Sequence, residues 1–120
     1  MKVVRPAEIP ITPSTSPLMM GGEVTMQRVP FEGNENLTWA IVNFGAGSRN
    51  KFHSHTTDQI LVITSGIGAV ATEGETIEVT DGDIIHIPAG EKHWHGAKPV
   101  SYMSHITIMG GGAETTQLED

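Results

Sequence analysis

Residues 47–66 read GSRNKFHSHTTDQILVITSG, and the alternation within this stretch decides what the chain can fold into. His53 and His55 stand two apart. On an extended backbone residues i and i+2 point to the same face, so both imidazoles can reach one point in space. Gln59 follows after three residues and opens the apolar run Ile60, Leu61, Val62, Ile63. A loop and strand that present three neutral nitrogen and oxygen donors at one end have most of the makings of a metal site. Two solvent-facing loop histidines and an ordinary strand glutamine are the competing reading of the same residues.

Outward from this stretch the chain is punctuated every few residues by glycine, proline and short polar clusters. Leu37 to Phe44 (LTWAIVNF) is rich in β-branched and aromatic residues and reads as a strand, ended by GAGS at 45–48. Before it, Glu23 to Phe31 alternates as a noisier strand, and GNEN at 33–36 has turn composition. After the histidine pair, Gln59 to Thr64 is a strand, and SGIG at 65–68 turns the chain into a second one, Gly68 to Thr72. Glu73-Gly74-Glu75 is a hairpin signal with Thr76 to Thr80 pairing back. Asp81-Gly82-Asp83 turns into Ile84 to Ile87, and residues 88–92 form a loop before His93-Trp94-His95. Lys98-Pro99 turns again, and Val100 to Met109 is a long last strand. No segment sustains an apolar 3.6-residue period, so an all-β sandwich or barrel is expected. A weak repeat, a glycine five residues ahead of a functional strand end at Gly47 and Gly82, fits two similar hairpin units stacked into a small barrel.

The ends differ from this body. Residues 1–20 carry Pro6, Pro10, Pro13 and Pro17, a spacing that forbids a helix and any central strand and predicts an extended arm. Residues 21–109 form the folded domain, and the Gly-rich, acidic residues 110–120 are expected to be a flexible tail. At 120 residues the chain holds one domain with a single modest core. Seven Lys+Arg against fourteen Asp+Glu give a net charge of −7, which argues against a nucleic-acid partner. The absence of cysteine excludes thiolate ligands, disulfides and a cysteine nucleophile. Neither a membrane-spanning run nor the apolar segment of a secretory signal is present, so a cytoplasmic protein without membrane contact is the expectation.

These residues resemble two spaced motifs of the cupins. The first, G-x5-H-x-H-x3,4-E-x6-G, is matched by Gly47, His53, His55, Gln59 and Gly66, with glutamine in the glutamate position. The second, G-x5-P-x-G-x2-H-x3-N, is matched by Gly82, Pro88, Gly90 and His93, with Ala97 in place of asparagine. Residues 67–81 separate them, a spacing that is similar to the compact bacterial type. The resemblance implies a single-domain jelly-roll β-barrel with a divalent transition metal at one open end. It implies His53, His55, Gln59 and His93 as the ligands, with manganese favoured and iron, zinc or nickel as alternatives. Three neutral imidazoles and a neutral amide leave the full +2 charge on such an ion, where a glutamate would cancel one unit. That favours Lewis-acid, redox-neutral chemistry over oxygen activation.

Within the family, residues 88–109 (PAGEKHWHGAKPVSYMSHITIM) most resemble the cupins that include manganese-dependent bacterial hydroxynitrile lyases. In those proteins the metal binds the cyanohydrin oxygen and nearby histidines move the proton as cyanide leaves. Carried onto this chain, the resemblance implies His95 and His105 as proton-transfer residues and Ala40 and Val42 as lining of the substrate pocket. Either histidine fits a general acid or base with a pKa near neutrality, or else a hydrogen-bonded structural histidine. His86, among Ile84, Ile85 and Ile87, reads as a packing or surface residue, and Trp94 as facing the opposite side from its neighbours. The expected function is therefore a metal-dependent lyase on a small hydroxylated or carbonyl compound. A metal-dependent dioxygenase and a non-catalytic small-molecule-binding module are the alternatives. A homodimer is expected, covering an exposed barrel edge by strand addition.

Overall fold

The computed structural model describes residues 1–28 and 36–120. The expected continuation of the strand through 29–31 and the turn at 33–36 therefore lie, but for Asn36, outside the described residues. Among the described residues, twelve strands follow one three-residue 3-10 turn at Pro6–Glu8, and the fold is all-β. In chain order they are β1 (Thr12–Pro13), β2 (Met19–Met20), β3 (Val24–Arg28), β4 (Leu37–Phe44), β5 (Arg49–Asn50) and β6 (His53–His55). Then come β7 (Gln59–Ala71), β8 (Thr76–Thr80), β9 (Ile84–Ile87), β10 (Trp94–Ala97), β11 (Met103–Gly110) and β12 (Thr115–Gln117). No helix among the described residues is long and apolar enough to cross a membrane.

β7 is the spine. Its first half pairs with β11 and β9, and its second half with β10 and β8, so one strand belongs to both walls of a curled antiparallel sheet. The sheet order β1-β3-β4-β11-β7-β10-β5-β2 wraps these walls into an open half-barrel. Reading SGIG at 65–68 as a turn between two strands is corrected here, because the ladder runs unbroken from Gln59 to Ala71. The chain bends at that point without reversing. Gly66 takes φ +84, and a Cβ there would collide with the Tyr102 carbonyl, while the β11 register slips between Ser104 and His105. The slip leaves Thr64 of β7 as the extra residue, and a bulge followed by a glycine in the left-handed region lets a strand turn a barrel corner while its pairing resumes on either side.

Alternation then sorts the side chains. Ala40, Val42 and Phe44 on β4 face inward, as do Gln59, Leu61 and Ile63 on β7 and Met103, His105 and Thr107 on β11. Val24, Val42, Phe44, Ile63, Val79 and Met103 make one apolar cluster at the closed end. Burying each of these larger side chains contributes about 1.5–3 kcal/mol. The polar inward positions, Gln59, Thr107, His53, His55 and His93, collect at the opposite end.

Both chain ends differ from a loose terminus. The proline-rich arm is extended as expected, apart from the short Pro6–Glu8 turn, and it pairs within its own chain, β1 on β3 and β2 on β5. The tail expected to be flexible over 110–120 instead carries β12, which pairs with β6 in the register Thr115↔His55 and Gln117↔His53. Its far end is clasped by Glu119, whose carboxylate takes two hydrogen bonds from Arg49 (2.8 and 3.1 Å) and one from the Phe52 N–H (2.8 Å).

Candidate metal centre

Backbone pairing brings the two motifs together before any side chain acts. His53 and His93 exchange hydrogen bonds as an antiparallel bridge (2.9 and 3.0 Å), and the Gly90 N–H donates to the His55 carbonyl (2.9 Å). The imidazoles of His53, His55 and His93 consequently offer one nitrogen each within 4.8 Å of one another.

Their other nitrogens are engaged. Nδ1 of His53 donates to the Lys51 carbonyl at 2.6 Å, and Nδ1 of His93 donates to the Glu91 carbonyl at 2.8 Å. Nδ1 of His55 lies 2.8 Å from Thr115 Oγ1, a hydroxyl that accepts when the proton is on Nδ1. The two carbonyls place the proton on Nδ1 of His53 and His93 and turn their Nε2 lone pairs inward, the arrangement that orients a metal-ligating histidine, and the Thr115 hydroxyl is compatible with the same tautomer at His55. Gln59 Nε2 donates to Thr107 Oγ1 at 2.7 Å, which turns Oε1 toward the cluster, 3.1 Å from His93 Nε2. His55 Nε2 is buried without a hydrogen-bond partner among the described residues. An imidazole lone pair facing an amide oxygen is a contact between two acceptors, and an unpartnered buried nitrogen costs about 1–3 kcal/mol. One cation at the point of convergence relieves both, so the donor set fits a divalent ion. Burial is the main cause that holds His53 and His55 down at about 4, and it also lowers His93. All three are neutral at physiological pH, the form that ligates.

His95 and His105 sit behind this group. The His95 ring is stacked on His93 and lies edge-on to His53, both at 5.9 Å, while His105 is edge-on to His95 at 4.8 Å and reaches none of the three. Phe44 closes the far side, 5.7 Å from His95 and 5.6 Å from His105. The expectation of near-neutral pKa values is corrected here. Burial drives His105 to about 4, and burial with four neighbouring imidazoles takes His95 well below its ordinary value. Asn50 brackets His95: its Oδ1 accepts from the His95 N–H at 2.8 Å, and its Nδ2 lies 3.2 Å from Nε2. Neither ring nitrogen of His105 has a hydrogen-bond partner among the described residues.

A cavity of about 430 Å³ has Arg28, Trp39, Ala40, Met109, Thr107 and Thr115 in its wall, and none of His53, His55, Gln59 and His93. Thr107 and Thr115 are the partners of Gln59 and His55, so this wall and the candidate metal site share residues. Ala40 is part of this wall. Val42 lies one step deeper, paired with His105 and packed in the apolar cluster, because side chains two apart on β4 descend the same inward face. His95 and His105 are likewise not in the wall of this cavity. His86 is on the surface, 2.8 Å from Asp58. Asn50, Thr107 and Thr115, which hold the functional side chains, escape sequence reasoning because each acts on a residue distant in the chain. The alternation of β11, which puts Thr107 on the face of His105, was the one available signal.

Comparison with known proteins agrees with this geometry. The cupin domain family matches residues 40–108. Over 70 residues the chain is 41% identical to the (R)-mandelonitrile lyase of Granulicella tundricola, covering 58% of this chain and 53% of that protein. Over 64 residues it is 34% identical to the acireductone dioxygenase of Bacillus mycoides, covering 49% of this chain and 35% of that one. The chain thus spans about half the length of the first curated relative and about a third of the second. A solved cupin-like protein of Thermotoga maritima superposes with a TM-score of 0.81 at 31% identity, over 91% of this chain and 85% of that chain.

Proposed function

We propose, from the premise that this chain belongs to the cupin domain family, that it is a metal-dependent lyase on a small hydroxylated compound, of the hydroxynitrile lyase kind. The observation that carries this reading is the neutral donor set, three imidazoles anchored through Nδ1 and an amide oxygen, with a further pair of uncharged buried histidines immediately behind it. His53, His55 and His93 hold the ion, Gln59 is the fourth ligand, and manganese is the favoured metal. An ion held by neutral ligands keeps its full charge and supplies Lewis-acid polarisation of a substrate oxygen.

The chain's own residues do the rest. The cavity that shares Thr107 and Thr115 with the site accommodates a ring-sized apolar group between Trp39, Met109 and Ala40. His95, outside the wall of that cavity but stacked on His93 and edge-on to His53, takes the hydroxyl proton from the side of the ligands. As the carbon–carbon bond to the nitrile breaks, its electron pair leaves with cyanide and the hydroxyl oxygen becomes the carbonyl of an aldehyde. Cyanide then takes the proton from His95, so atoms and charge balance. The low basicity that burial imposes on His95 makes its protonated form a ready donor for that second transfer. His105 touches His95 and none of the ligands, so it acts through His95 as a positioning residue.

The test is cleavage of mandelonitrile by manganese-loaded protein, followed by benzaldehyde formation. A rate above that of buffer with free Mn²⁺ supports the reading, and no such excess contradicts it. The similarity to an acireductone dioxygenase keeps a second reading open, and oxygen uptake by iron-loaded protein decides for that one.

A further inference from the structure

We infer that the C-terminal strand is a working part of this metal centre, with Thr115 as the positioning residue for ligand His55. The inference rests on the metal reading of His53, His55 and His93 given above. The three ligand imidazoles do not obtain their orientation in the same way. His53 and His93 each donate from Nδ1 to a carbonyl two residues earlier, Lys51 and Glu91, so their own strands hold them. His55 has no such local acceptor. Its Nδ1 partner is the Thr115 hydroxyl, sixty residues further along the chain. A hydroxyl accepting the Nδ1 proton holds the ring plane and supports the basicity of Nε2, and loss of such a partner commonly costs 10–100-fold in metal affinity.

The strand that delivers Thr115 has no packing of its own. Thr115, Thr116 and Gln117 are all exposed, and among the described residues β12 pairs only with β6, the strand that carries His53 and His55. A two-stranded ribbon is marginal in water unless something else holds it. Here both ends are fastened. Thr56 N–H donates to the Glu114 carbonyl (3.0 Å) and Glu114 N–H to Thr56 Oγ1 (2.9 Å) at one end. At the other, Leu118 N–H donates to the Phe52 carbonyl (2.8 Å) and Glu119 clasps Arg49. The fastenings flank the ligand strand and set the register that puts Thr115 opposite His55. Thr115 and Gln117 also stand in the wall of the 430 Å³ cavity, so one segment closes the substrate space and aims a ligand.

The experiment is titration with Mn²⁺, with bound ion counted from loss of the free-ion electron paramagnetic resonance signal. Thr115→Val keeps the shape and removes the acceptor, and is expected to weaken Mn²⁺ binding about 10–100-fold. Thr115→Ser restores the hydroxyl and is expected within about threefold of wild type. Glu119→Gln loosens the clasp without touching His55 and is expected to weaken binding by roughly threefold, the scale of a surface pair. Far-ultraviolet circular dichroism of each variant reports that the fold is kept, as an exposed position should allow. Wild type that binds Mn²⁺ together with an unchanged Thr115→Val variant overturns this inference alone. Wild type that takes up no Mn²⁺ overturns the metal reading, and this inference falls with it.

Discussion

Two groups of histidines lie within ring contact inside this barrel, and they are wired differently. His53, His55 and His93 each have Nδ1 tied to an oxygen, so their Nε2 atoms converge. His95 and His105 are as deeply buried, but Asn50 holds the first at one edge and no side chain holds the second. The difference teaches what each group can do. A ring whose far nitrogen is tied down is a fixed lone pair, suited to an ion. A ring whose nitrogens meet at most a neutral amide, as His95 meets Asn50, is suited to receiving and returning a proton. Burial keeps both groups uncharged, and wiring alone separates them.

Breaking the first group should have the largest effect. His55→Ala or His93→Ala is expected to lose most bound metal, at least on the order of 100-fold in affinity, because a ligand matters more than its outer partner. Elemental analysis of dialysed protein measures it. Breaking the second group should leave metal in place. His95→Ala is expected to keep wild-type metal content while kcat falls about 10²–10⁴-fold, the usual worth of a positioned acid–base group.

His105 sharpens the comparison further, because its ring nitrogens have no hydrogen bond to lose among the described residues. Replacing a buried polar group that has no partner by an apolar one of similar size is neutral or stabilising. His105→Leu should therefore match or exceed the wild-type Tm in a thermal melt, while kcat falls about tenfold through the loss of support for His95. A clear drop in Tm would assign His105 a structural role instead.

The acid side tests both groups together. His53, His55 and His105 carry folded-state values of about 4 against an ordinary 6.5, with burial the main cause in each. The unfolded chain therefore binds more protons than the folded one across that window. Their contribution to stability is complete above pH 6.5 and is lost as the pH falls toward about 4. Urea unfolding of metal-free protein across this range should show that decline, and bound Mn²⁺ should shift it to lower pH by competing with protons at the first two. The smallest effect belongs to the sixth histidine. His86 forms an exposed pair with Asp58, and His86→Ala should leave Tm and metal content unchanged within error.

Much of this arrangement was legible in the chain, for physical reasons that also explain the rest. β4 and β9 fall where Leu37 to Phe44 and Ile84 to Ile87 were read, because β-branched runs between glycine or polar turns leave little choice. The clustering of His53 and His55 was legible because a strand period of two puts them on one face. The Gly66 corner was read as a turn because glycine composition signals left-handed backbone and not whether the ladder continues through it. The tail was read as loose because its glycines and acids dominate locally. Its pairing with β6 is a contact across sixty residues that no local pattern encodes. For the same reason Ala40 and Val42, equivalent by alternation, were not separated into cavity wall and core. That depends on how far down the barrel the apolar cluster reaches.

The central claim is that the converging nitrogens hold an ion, and the metal content of wild-type protein purified without chelator tests it most directly. About one equivalent of a divalent transition metal per chain is the predicted result, as expected for a single closed donor set. Wild-type protein that is metal-free as purified, and stays so after incubation with Mn²⁺, Fe²⁺, Ni²⁺ and Zn²⁺, would contradict it.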